Sequence, residues 1–130
     1  MKNTGLRAIQ ALLGVSLLVG AMAAAPALHF KLDKSEPDNG SETVSPEAVK
    51  LWFSQEPQAK STSIRLIDSA GEPVTTGDVV QDSENGKLQS IQVLTKLAPG
   101  AYTVAWRSMA SDGHVVRDDF GFTVLAETRH

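Results

Sequence analysis

Leu97-Ala98-Pro99-Gly100-Ala101-Tyr102-Thr103-Val104-Ala105-Trp106-Arg107 opens on a turn and then alternates. Pro-Gly is a strong turn signal. Tyr102, Val104 and Trp106 fall on every second position, with Thr103, Ala105 and Arg107 between them. A period of two with one apolar set describes a strand buried on one face. The same pattern extends outward. Downstream, Phe120, Phe122 and Val124 alternate; upstream, Leu88, Ile91, Val93 and Leu97 mark a strand, and Ile64 to Ile67 another that ends at Ser69-Ala70-Gly71. Val49, Leu51 and Phe53 alternate with Lys50, Trp52 and Ser54. Phe30 and Leu32 form a first strand broken by Pro37-Asp38-Asn39-Gly40, and Val79-Val80 is a short edge piece before the polar turn at 82–86. No window after residue 27 keeps apolar residues at helical spacing. Short strands at these intervals predict an all-β chain, a two-sheet sandwich with antiparallel pairing.

The first 27 residues read differently. Met1 to Arg7 carries Lys2 and Arg7 and no acid, an apolar run covers Ala8 to about Met22, and small residues follow to Ala27. That order is a secretory signal peptide with a cleavage site at Ala25-Pro26-Ala27. The apolar run is also nearly long enough for an uncleaved membrane anchor, which takes roughly 20 residues. Cleavage after Ala27 leaves one domain over 28–125 and a polar tail at 126–130, exported to the periplasm. It takes two of the 12 basic residues and none of the 15 acids. Ten basic against fifteen acidic residues leave a charge of about −5.

Such a balance without a basic run argues against nucleic acid as a partner, since phosphate contacts need clustered Lys and Arg. The chain has no cysteine, which excludes thiolate metal sites, CxxC redox pairs and cysteine nucleophiles. Met109 is the single methionine after residue 27, too few for a thioether-rich Cu(I) site. GxSxG, P-loop and HExxH patterns are absent.

Histidine is scarce: His29, His114 and His130. His29 stands beside the expected new N-terminus. His114 closes Asp112-Gly113-His114, a loop between two expected strands. A D-x-H triplet can offer a carboxylate and an imidazole to one ion, and the intervening glycine lets the backbone bend. Imidazole, carboxylate and amine suit the tetragonal N and O set of Cu(II). By itself one Asp-Gly-His is weak evidence, because Asp-Gly is a common turn. His130 and Asp118-Asp119 read as solvated, the latter as a turn.

Four separated segments then carry a resemblance. His29-Phe30-Lys31-Leu32 through Ser35-Glu36-Pro37 and Gly40, Ser45-Pro46 through Leu51-Trp52-Phe53-Ser54, Leu97 through Arg107, and Ser111-Asp112-Gly113-His114 followed by Phe120-Gly121-Phe122-Thr123-Val124 resemble, in order, the CopC family of periplasmic copper-resistance proteins. The resemblance covers essentially all of 29–125. It implies a seven-stranded Ig- or cupredoxin-like Greek-key β-sandwich. It implies one Cu(II) per chain on His29, Asp112 and His114, and a monomeric copper chaperone or buffer, often with a CopD-type inner-membrane partner. In the family the histidine is itself the first mature residue; here cleavage before it would put Leu28 at the −1 position, where a small residue is expected. Val115-Val116-Arg117-Asp118-Asp119 also departs from the family, which has Pro and Gly there. Two alternatives stand beside the non-enzymatic copper protein: a copper-dependent oxidative enzyme with a histidine-brace-like site, and a metal-free Ig-like interaction module.

Overall fold

The computed structural model describes residues 29–127, so the stretch read as a signal peptide, Leu28 and His130 lie outside it. Eight strands run through the described residues: β1 (Leu32–Glu36), β2 (Glu42–Thr43), β3 (Ala48–Phe53), β4 (Ser63–Ile67), β5 (Val80–Gln81), β6 (Leu88–Gln92), β7 (Gly100–Met109) and β8 (Val115–Val124). They form two four-stranded sheets, ordered β1-β3-β6-β5 and β2-β8-β7-β4.

The alternation read from the sequence becomes the core. Val49, Leu51 and Phe53 of β3 and Ile91 of β6 face Ile64 and Leu66 of β4, Tyr102, Val104 and Trp106 of β7, and Phe120, Phe122 and Val124 of β8. Each such buried side chain contributes roughly 1.5–3 kcal/mol. With no disulfide in the chain, this burial is what offsets the entropy of ordering it. Two polar groups inside find partners. Ser108, fully buried, shares a 2.7 Å hydrogen bond with Thr62. The Tyr102 hydroxyl donates to the Ala98 carbonyl at 2.7 Å, a tyrosine-corner arrangement that pins the Pro99-Gly100 turn.

Four details depart from the expected pattern. The described strands number eight, because β2 joins the second sheet. β2 pairs parallel to β8, Glu42 opposite Thr123, in a sandwich otherwise paired antiparallel. Two residues carry no legible alternation; the strand exists because backbone donors at Gly40, Thr123 and Leu125 are met by Gly121, Ser41 and Thr43. β8 begins at Val115, so Asp118 and Asp119 lie in a strand and not in a turn. β7 and β8 pair over their full length, Met109 opposite Val115 and Gly100 opposite Val124. The first half of β8, Val115 to Asp119, is largely exposed on both faces, which hides it from a hydrophobic pattern. Finally, β6 ends at Gln92; Leu97 is buried from a loop, its N–H held at 2.8 Å by the Ser45 hydroxyl.

The pairing decides what meets at each end. Leu32 lies opposite Phe53, so β1 begins where β3 ends. β7 ends and β8 begins at the 110–114 loop. The connection 54–62, which leads from β3 to β4, ties these two places together, because the Gln58 N–H donates to the Met109 carbonyl at 2.9 Å.

Candidate metal centre

Ala110-Ser111-Asp112-Gly113-His114 closes the β7–β8 hairpin. Gly113 has φ 93°, a left-handed conformation suited to glycine. Its N–H donates to the Ala110 carbonyl, and the Ala110 N–H to the His114 carbonyl, each at 2.9 Å. That fold-back aims the Asp112 carboxylate at its neighbour twice. Asp112 Oδ1 accepts from the His114 backbone N–H at 3.0 Å, and Oδ2 lies 2.9 Å from His114 Nδ1. The backbone N–H of His114, and then its side chain, hold the Asp112 carboxyl below the ordinary aspartate value of 3.8. These contacts favour the charged, accepting form of the carboxylate, with the imidazole beside it.

The two donor atoms fit an ion chemically. At 2.9 Å, Oδ2 and Nδ1 face each other as a hydrogen-bonded pair, so the two would reach one shared ion only by giving up that bond. With Nδ1 engaged by the carboxylate instead, Nε2 is the ring atom left for a ligand, the usual carboxylate–histidine arrangement. Both side chains are exposed, which gives an ion and its carrier direct access.

His29 is held differently. Its carbonyl accepts from Ser54 Oγ at 3.1 Å, and Ser54 Oγ in turn accepts from the Lys31 N–H at 3.0 Å. Phe30 stacks on Phe53 with ring centroids 5.0 Å apart, and Phe53 meets Trp106 edge-on at 5.2 Å. The segment leading into β1 is thereby fastened to the first residue of the 54–62 connection. Gln58 in that same connection donates through Nε2 to the Ala110 carbonyl at 3.1 Å and to that of Ser111 at 3.4 Å. His29 thus sits at the same end of the sandwich as the hairpin loop. The structure brings Asp112 and His114 into contact but does not gather all three: among the described residues no group of three His, Cys, Asp or Glu side chains is placed to hold an ion. His130 lies outside the described residues. Sequence reading placed Ser54 only at the end of the second strand and gave Gln58 no role, so the two supports of the site were missed.

These features define a small two-sheet β-sandwich carrying a histidine–carboxylate hairpin at one end. The CopC domain model matches residues 32–125. The chain is 30% identical over 118 residues to copper resistance protein C of Pseudomonas syringae pv. tomato, covering 87% of this chain and 91% of that protein. The crystal structure of CopC from Methylosinus trichosporium OB3b superposes with a TM-score of 0.70 at 29% identity, over 78% of this chain and 100% of that one. PcoC, a methionine-rich copper resistance protein from Escherichia coli, gives 0.67 at 29% identity over 74% and 98%. The chain belongs to the CopC family. Its function is therefore tied to copper, within a family of copper resistance proteins.

Proposed function

We propose that the chain binds one Cu(II) ion in the periplasm through Asp112, His114 and His29, with the N-terminal amine as a fourth donor, and buffers or delivers copper there without catalysing a reaction. The observation that carries this is the Asp112–His114 donor pair, 2.9 Å apart, at the end of the sandwich where the chain enters β1. Asp112 supplies charge, His114 a strong nitrogen donor, and the strand lead-in delivers His29 toward the same end. The donor set is hard to borderline, which favours Cu(II) over Cu(I). Its similarity to PcoC stops short of the methionine content in that protein's description: the chain has 3 methionines in all, and Met109 stands alone among the described residues.

Residues 1–27 act as the export signal in this reading, and the exported protein works as a monomer that hands copper to a CopD-type inner-membrane protein. An N-terminal Leu28-His29 chelates through amine, backbone amide and imidazole; an N-terminal His29 chelates through amine and imidazole. Mass spectrometry of the exported protein decides between them. Titration with Cu(II), followed by electron paramagnetic resonance, is expected to saturate at one ion per chain. His114→Ala removes most of the affinity; a variant that titrates like the parent overturns the assignment.

A further inference from the structure

The outer face of the β2-β8-β7-β4 sheet carries a feature that copper does not explain. All three arginines of the described residues, Arg65, Arg107 and Arg117, line one open depression of about 640 Å³ there, and none of the lysines does. Register sets them side by side. Arg107 lies directly opposite Arg117, with Ser63 on its other flank, and the next outward-facing row reads Arg65, Ala105, Asp119. Ser63 and Ala105 make a low floor. Among the described residues no carboxylate lies within ion-pair distance of the three guanidinium groups, the ion pairs being Lys31–Asp33, Lys34–Glu36, Lys96–Glu127 and His114–Asp112.

Like charges directly opposite in a sheet are destabilising. The described residues carry nine basic and fifteen acidic side chains, so acids were plentiful, yet Asp119 stands diagonal to Arg107 and not across from it. Folding gains nothing from gathering three arginines in an acidic domain. Guanidinium groups present forked donors that match carboxylates two bonds at a time.

We propose that this face docks an acidic segment of a partner protein, whose carboxylates are taken by Arg65, Arg107 and Arg117. A broad anionic surface such as a membrane would meet the excess of carboxylates over the rest of the domain and be repelled. A short acidic segment needs only this depression. Asp119, in the neighbouring outward-facing row, repels a segment seated out of register.

The test uses protein recovered from cells expressing the full chain, without copper, so that its outcome is independent of the metal assignment. Hexaglutamate is titrated in at low salt while the arginine Nε–Hε resonances are followed by NMR, with hexaglutamine as control. The signals of Arg65, Arg107 and Arg117 are expected to move together with hexaglutamate alone, and the shift to fade at ~0.5 M salt, where screening is within a few ångströms. Arg107→Gln combined with Arg117→Gln is expected to weaken binding tenfold or more while the melting temperature holds or rises; a purely structural role would lower it. Stationary arginine signals, or undiminished binding by the double variant, overturn the proposal. So does engagement of the same arginines by phosphatidylglycerol vesicles in place of the peptide.

Discussion

Ser54 and Gln58 stand four residues apart in one connection and hold two segments 81 residues apart in the chain, at His29 and Ala110. Ser54 Oγ reaches the His29 carbonyl and Gln58 Nε2 the Ala110 carbonyl, so a segment that supplies none of the proposed ligands positions both halves of the proposed copper site. The two halves belong to different sheets, β1 to one and the β7–β8 hairpin to the other. Their relative placement therefore depends on this connection as well as on core packing.

Gln58→Ala should loosen the hairpin loop without unfolding the domain. Removing hydrogen bonds to Ala110 and Ser111 costs ~1 kcal/mol of stability at this partly exposed site. Copper affinity is expected to fall by up to ~tenfold, the equivalent of ~1.4 kcal/mol. A competitive chelator titration beside a metal-free thermal melt checks both; unchanged affinity removes the connection from any positioning role.

Asp112 gives a pH signature. Its carboxyl is held low by the His114 backbone N–H and side chain, so the folded value lies below the unfolded one. The loop's stabilisation by this contact is complete above the unfolded value, ~3.9, and is lost as pH falls through the lower folded value. A carbon-detected NMR titration should place the Asp112 midpoint below 3.8, and Asp112→Asn should abolish the transition. Copper binding should weaken at higher pH than this, because protons compete for imidazole and amine first.

Gly113→Ala isolates backbone conformation. A Cβ at this position meets nothing within 4 Å, yet φ stays at +93°. The cost is conformational, ~1–3 kcal/mol, or a fall in melting temperature of several degrees for a domain of this size, at ~4–8 °C per kcal/mol. A melt within 1 °C of the parent would show that the loop does not need this geometry.

Phe53→Ala tests the core and the N-terminal anchor together. Phe53 is 1% exposed and touches both Phe30 and Trp106. Truncation of a buried phenylalanine costs ~3–5 kcal/mol. Denaturant midpoints measure it, and a loss under ~1 kcal/mol would contradict the packing described.

Alternation made the central strands legible, because Val49, Leu51, Phe53, Tyr102, Val104 and Trp106 each answer to one buried face. β2 was illegible because its two residues are ordered by backbone partners contributed by β8 and its flanks. The first half of β8 was illegible because water covers both faces of Arg117, Asp118 and Asp119. The Asp112-Gly113-His114 triplet could be read as a loop of donors, since Asp-Gly turns are local chemistry. Its supports at Ser54 and Gln58 could not, since contacts across 25 and 52 residues leave no periodic trace.

The anchor on His29 grips its carbonyl oxygen and leaves its imidazole without a hydrogen-bonding partner among the described residues, whereas the His114 ring is clamped at Nδ1. A vice with one welded jaw and one sliding jaw behaves the same way. In the proposed site, cargo held between them would settle against the welded side and be freed from the sliding side, so an acceptor that captures residue 29 would open the grip without disturbing the hairpin.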